Sequence, residues 1–280
     1  MNINNLHFGY TTTLPILNGL SLSLTPGHIV GLLGQNGAGK TTFLKLLAGL
    51  CFPSLGEINI FGDQPKDRHP KLLQELFFIP EDFSLPNLTL QQYAQSYGYF
   101  YPRFDHALFN RALQSFGLNS KTALPSLSHG QKKMFITAFA ISTRAKVLIL
   151  DEPSNGLDIS NKQVWQELLM KEINEEQLVI ISTHQVHDIA NIIDSVLVMK
   201  EGKMLLNSSI NELENKLYCG FQREAPTPGS IFYSEKRAGG YAILKENTGE
   251  THSSIDLELL FQACIKGSPV ARLFSGEYHV

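Results

Sequence analysis

Eight residues, Gly34-Gln35-Asn36-Gly37-Ala38-Gly39-Lys40-Thr41, constrain this chain more than any others, because they fit the spacing G-x-x-x-x-G-K-[ST]. The pattern carries weight only between a buried strand and a helix. Both flanks are present: Ile29 to Leu33 is an unbroken apolar run of the kind buried on both faces, and FLKLLAGL follows with helical spacing. Glycines in such a turn let backbone N–H groups converge on phosphate oxygens. Lys40 reaches the β and γ phosphates, and the Thr41 hydroxyl is a ligand for Mg²⁺. A glycine-rich turn with a stray lysine is the competing reading, and the strand and helix on either side argue against it.

A second element narrows the chemistry. Val147 to Leu150 is an aliphatic strand that ends on Asp151 and Glu152. Two carboxylates at the end of so apolar a strand imply a nearby cation. Asp151 is suited to holding Mg²⁺, and Glu152 to polarising a water aimed at a γ-phosphate.

The rest of the chain is organised around these two points. INNLHF and LNGLSLSL alternate as a half-exposed hairpin, and GEINIFG returns to period two and is expected to pair with it. From Leu88 to Leu127 the pattern is helical. Thr89 with Gln92 forms a capping box, Asp105 caps a second helix, and Gly117 stops it. This insert is crowded with aromatics (Tyr93, Tyr97, Tyr99, Phe100, Tyr101, Phe104, Phe109, Phe116), read here as a small core in preference to a base-stacking face. After Ser128 come a helix, the strand KVLIL, a helix with Trp165, Leu168, Leu169 and Ile173 inward, the strand LVIIST, and a hairpin turning at Glu201-Gly202-Lys203. Alternating buried strands and helices predict a parallel sheet covered on both faces. Beyond about residue 206, Ser209 and Glu212 cap a short helix holding Leu213 and Leu217. A hairpin turning at Gly239-Gly240 follows, and a last helix places Leu257, Leu260, Phe261 and Cys264 on one face.

Bulk properties exclude several classes. The 23 basic and 26 acidic side chains leave a formal charge of -3, without the basic footprint that nucleic acid requires. The longest apolar runs are strand-length and too short to span a bilayer. The start of the chain shows no secretory signal, so a cytoplasmic location is expected. Cys51, Cys219 and Cys264 are widely spaced and are expected as reduced thiols without zinc.

The stretch LSHGQ, residues 127–131, sets a serine beside a histidine. A nucleophile and base would need an orienting acid and a strained elbow, and nothing in the sequence supplies them. The stretch instead resembles the LSGGQ signature of the ATP-binding cassette (ABC) ATPases. Further landmarks of that family stand in order over roughly residues 1–205: GQNGAGKTT, LILDEP, SNGLD and STH. The resemblance implies an α/β fold of the P-loop NTPase, ABC ATPase type, with an antiparallel β subdomain and a helical subdomain at about 82–145. Residues 206–280 are read as a small C-terminal α/β appendage.

The same resemblance implies roles. Gly34, Asn36, Gly37, Ala38, Gly39, Lys40, Thr41 and Thr42 would cradle ATP, and Tyr10 would stack on adenine. Thr41 and Asp151 would hold Mg²⁺. Glu152 is the implied general base and His184 the switch histidine that steadies it. Ser128, Gly130 and Gln131 would bind the γ-phosphate held by a partner subunit, with Ser128 also capping its helix. Asp158 belongs to the loop that crosses the dimer interface. Two residues depart from the pattern: His129 replaces a glycine, and Glu81 in FIPEDFSLP replaces a glutamine, a change that still offers Mg²⁺ an oxygen.

The function implied is an ATP-hydrolysing subunit of an exporter-type ABC transporter. It would act as a homodimer, or as a dimer with a related ATPase subunit, and drive a separate transmembrane permease from the cytoplasmic face of the membrane. The rival is a soluble ABC ATPase acting as an assembly factor or switch.

Overall fold

A computed structural model describes residues 1–11, 14–227, 229–249 and 254–274. The strands are β1 (Asn2–Phe8), β2 (Leu17–Ser23), β3 (His28–Leu33), β4 (Leu55–Asn59), β5 (Leu76–Ile79), β6 (Val147–Asp151), β7 (Leu178–Thr183), β8 (Ser195–Lys200), β9 (Lys203–Ser209), β10 (Leu217–Gln222), β11 (Tyr233–Arg237) and β12 (Gly240–Glu246). The helices are α1 (Lys40–Leu47), α2 (Pro70–Leu73), α3 (Leu90–Tyr97), α4 (His106–Ser115), α5 (His129–Ser142), α6 (Ile159–Glu172), α7 (Ile210–Lys216) and α8 (Leu257–Ile265).

The central sheet runs β5-β6-β7-β3-β8-β9. Every neighbouring pair is parallel except β8 with β9, the expected hairpin. Its two faces feed two separate cores. Leu33, Leu148, Leu150, Val179, Ile181 and Val198 pack with α5, α6 and the helical insert. Their strand neighbours Leu32, Val147, Ile149, Leu178, Ile180 and Leu197 pack with α1 and the antiparallel sheet β2-β1-β4. Period-two alternation between two apolar layers is why these strands read as unbroken hydrophobic runs.

In the insert, the Thr89–Gln92 capping box closes in both directions, at 3.2 and 2.8 Å. Asp105 caps α4 by accepting from the Leu108 N–H at 2.8 Å. The aromatic cluster divides. Tyr93, Tyr101, Phe104 and Phe109 surround Phe139 of α5 with ring centroids 4.9–6.4 Å away, and Phe77 of β5 joins them. Burial pushes the Tyr93 and Tyr101 phenols up to about 12. Tyr97, Tyr99 and Phe100 remain at the surface.

Three features differ from the sequence expectation. β5 is a four-residue strand with no periodicity of its own, and it is recognisable only through its pairing with β6. Leu217 does not belong to α7: it opens β10, an unforeseen third strand that pairs with β12. The last hairpin turns at Ala238-Gly239, with Gly240 already paired to Arg237. α8 is buried on nearly all sides, including Leu259, Ala263 and Ile265, because it lies between the sheet β10-β12-β11 and the main core. Lys200 of β8 donates to the Ile265 carbonyl at 2.9 Å. All three cysteines are thiols, and among the described residues no cluster of three or more metal-binding side chains occurs.

The Asp105 cap generates a pH-dependent prediction. The Leu108 N–H, and then Arg144 at 3.6 Å, hold its carboxyl below the ordinary value of 3.8. The stabilisation is therefore complete above 3.8 and lost as the pH falls through the depressed folded value. Asp105→Ala should cost about 1 kcal/mol at neutral pH. Urea unfolding of the two proteins should show that gap closing in acid.

Candidate functional site

Strand register assembles the site. Leu33 pairs with Thr183, and Asp151 with Ser182, so the carboxyl ends of β3, β6 and β7 finish side by side. The phosphate-loop candidate, the two acids and His184 all leave the sheet at that edge, where open parallel sheets bind ligands.

The loop from Gly34 to Gly39 is held tightly. A Cβ on Gly34 would stand 2.8 Å from the Met199 carbonyl, and Gly39 adopts φ 105° as it enters α1. Only glycine fits there without strain. α1 has no side-chain cap, which leaves the N–H groups of its first turn for an anion. Lys40 is buried, and its ammonium donates to the Gly34 carbonyl at 2.6 Å and lies 3.7 Å from Glu152 Oε1. Burial lowers its affinity for a proton, and Glu152 and Asp151 raise it. A cavity of about 370 Å³ opens over the loop, lined by Gln35 to Thr42 together with Ile16, Glu81 and Glu152.

The two acids are buried, Asp151 at 0% and Glu152 at 5% exposure. Ser182 fastens both: its hydroxyl donates to Asp151 Oδ1 at 2.5 Å, and its carbonyl accepts the Glu152 N–H at 3.1 Å. Glu152 adopts φ 47°, a left-handed backbone that costs a non-glycine residue of order 1 kcal/mol or more. This turn directs its carboxylate into the cavity. His184 Nδ1 lies 2.9 Å from Glu152 Oε1; a carboxylate only accepts, so Nδ1 carries the hydrogen. Glu81 is linked to Asn155 at 3.4 Å.

Asp151 Oδ2 is buried with no hydrogen-bond partner. A buried carboxylate oxygen left in this way fits a cation. Asp151 itself does not line the cavity, but Glu81 and Thr41 do, and together the three offer an all-oxygen donor set short of a full shell. Such a set suits Mg²⁺ completed by phosphate oxygens.

Other residues from the sequence reading stand elsewhere. Ser128 caps α5 in a reciprocal box with Gln131, at 3.2 and 2.9 Å, and Gly130 follows in its first turn. His129 is exposed and packs over Gly156. Asp158 caps α6, accepting from the Asn161 N–H at 2.8 Å. Tyr10 is 60% exposed, with its ring edge-on to Phe8 at 5.0 Å. None of these lines the cavity.

Two supporting groups escaped the sequence reading. Lys133, 2% exposed, donates to the Glu152 carbonyl at 2.6 Å. Buried Asp188 accepts from Ser154 at 2.8 Å and pairs with Lys162 at 2.6 Å, tying the loop after the acids to the segment after His184. A lysine pair on a helix and a lone aspartate carry no spacing signal that would have exposed either.

Comparison with known proteins identifies the family and the fold. The ABC transporter family profile matches residues 17–155. The Nod factor export ATP-binding protein I of Burkholderia lata is 30% identical over 244 residues, covering 84% of this chain and 79% of that protein. The SkfA peptide export ATP-binding protein SkfE of Bacillus subtilis is 34% identical over 206 residues, covering 70% and 84%. Among solved structures, an ATP-binding subunit of an ABC transporter superposes with a TM-score of 0.69 at 25% identity, covering 76% of this chain and 91% of that one. CbiO1 of Clostridium perfringens superposes at 0.64 with 27% identity, covering 76% and 89%.

The buried Lys40 generates a binding prediction. Lys40→Ala should weaken binding of a nucleoside triphosphate about a hundredfold, near 3 kcal/mol, because a buried charge contact is lost. Calorimetry with ATP checks it, and affinity equal to the parent's would remove Lys40 from the site.

Proposed function

This chain belongs to the ABC transporter family as an ATP-binding subunit and ATPase, and on that premise we propose that it powers export through a separate transmembrane polypeptide. The observation that carries the reading is the convergence of Lys40 and Glu152 on one cavity, with His184 bonded to Glu152, while Ser128 stands outside it. A site complete in one chain would hold its helix-end phosphate donor within reach. Here Ser128, Gly130 and Gln131 lie outside the cavity. A second copy, or a close relative, set head to tail would bring its own Ser128, Gly130 and Gln131 over this chain's phosphate loop, with Asp158 at the junction. His129 would stand in the same interface.

The residues divide the chemistry between them. Gly34 to Thr42 and Lys40 hold and orient the triphosphate. Glu152 accepts the proton of a water as its oxygen attacks the γ-phosphorus and the bond to the β-phosphate oxygen breaks. Its left-handed backbone and the His184 hydrogen bond fix the carboxylate for that task. Asp151, Thr41 and Glu81 would hold Mg²⁺, which neutralises phosphate charge when bound. Tyr10 is free at the surface to stack on the base. Closure of the dimer around two ATP molecules would move the permease, and hydrolysis would reopen it.

The resemblance to proteins named for Nod factor export and SkfA peptide export favours export over import. Among the described residues no helix is long and apolar enough to cross a membrane. The relatives named as ATP-binding proteins of export systems support a pathway in another polypeptide, with this chain at the cytoplasmic membrane face. The surface of the insert around Tyr99 and Phe100, 87% and 61% exposed, is the proposed contact with that partner. Residues 1–205 are read as the ATPase unit and 206–280 as its appendage, which shares buried core with the main sheet.

Two outcomes are expected. Glu152→Gln should slow hydrolysis by a factor on the order of 10² to 10⁴ and accumulate an ATP-dependent dimer; a variant that light scattering finds monomeric at saturating Mg²⁺ and ATP would sink the dimer model. The same variant, purified from gently solubilised membranes with ATP, should carry a stoichiometric multi-span protein that Tyr99→Ala with Phe100→Ala releases. Recovery from the soluble fraction alone would favour an assembly factor instead.

A further inference from the structure

Lys133 is buried in α5, five residues after Ser128, and its ammonium donates to one acceptor, the Glu152 main-chain carbonyl at 2.6 Å. Among the described residues it makes no direct ion pair; Glu81, Glu152, Asp82 and Asp151 act on it from further away. A cation buried on a single neutral carbonyl is a costly arrangement if stability is its only purpose. Core packing at this position would be met more cheaply by leucine or methionine.

The carbonyl it holds belongs to the one non-glycine residue of the site with a left-handed backbone, Glu152 at φ 47°. On the far side of that residue, the N–H is fixed by Ser182 of β7. The peptide groups flanking the Glu152 Cα are thus clamped from two elements, α5 and β7. His184 supplies a third constraint on the carboxylate itself. Release of the carbonyl would let the backbone relax toward ordinary dihedrals and swing the carboxylate away from the cavity.

We propose that Lys133 is a positioning residue for Glu152: by holding its carbonyl it maintains the strained turn that aims the carboxylate, and it joins the catalytic strand end to the helix that Ser128 caps. The inference rests on Glu152 being the general base. It also makes α5 a rigid link between the donors offered to a partner's nucleotide and the base acting on the chain's own. A phosphate that seats Ser128 in one site therefore steadies the base in the other.

The test is steady-state ATP hydrolysis by the full chain carrying Lys133→Met, Lys133→Arg or Glu152→Gln, and by the Lys133→Met, Glu152→Gln double variant, with ATP affinity from calorimetry. Lys133→Met should lower kcat roughly ten- to a hundredfold with KM and ATP affinity little changed, as expected for a misaimed group. Lys133→Arg, which keeps a donor and a cation, should recover much of the loss. In the Glu152→Gln background Lys133→Met should add little further loss, because both act through one carboxylate. Should the methionine variant not fold, Lys133→Gln, whose amide falls short of the carbonyl, should show the same fall in kcat. A kcat within about twofold of the parent, or full multiplication of the two losses in the double variant, would overturn the inference. Turnover by Glu152→Gln at the parent's rate would instead remove the base assignment on which it stands.

Discussion

Parallel pairing of β3, β6 and β7 is the constraint from which the rest follows. The side-chain period of a strand is two, so a slip of one residue would send each strand's apolar set to the wrong layer. Both layers here are apolar and buried, one against α5, α6 and the insert, the other against α1 and the antiparallel sheet. Register is thereby fixed by burial over the length of the strands. The chemistry at their ends inherits that precision without having to supply it. Asp151 lies beside Ser182 for the same reason that Ile149 lies beside Ile180.

A rigid edge lets the site hold groups that would otherwise rearrange. Lys40 and Glu152 face each other at low exposure, Asp151 keeps one oxygen unsatisfied, and Glu152 sits in a disfavoured backbone region. Each is a local expense that the surrounding core tolerates. Their common direction is toward negative charge and metal: donors and a cation on the α1 side, bare carboxylate oxygens on the β6 side. A triphosphate with a divalent ion satisfies both at once, which no single anion or cation would do.

Much of this was legible in the sequence, because it lies in short contiguous patterns. The glycine spacing around Lys40, the acids ending an aliphatic strand, and the capping residues Thr89, Asp105, Ser128 and Ser209 each carry their meaning within a few residues. What escaped depends on distant partners. β5 is four apolar residues until β6 lies against it, and Leu217 looks helical until β12 offers an edge. Lys133 is indistinguishable from Lys132 as text, yet one is buried against Glu152 and the other faces outward. Nineteen residues separate donor from acceptor in that contact, and no periodicity spans such a gap.

The two departures from the family pattern are governed by the same geometry. Glu81 follows the end of β5, beside β6, so its added charge enters a region that already holds Asp151 and Glu152. Three carboxylates on one edge would repel one another if nothing intervened. Lys40 and Lys133 lie on opposite sides of Glu152, one at its carboxylate and one at its carbonyl, and Glu81 is the acid that acts most strongly on Lys133. Glu81 itself accepts from Asn155 at 3.4 Å. His129 has no such constraint: its ring rests over Gly156 at the exposed start of α5, outside the cavity.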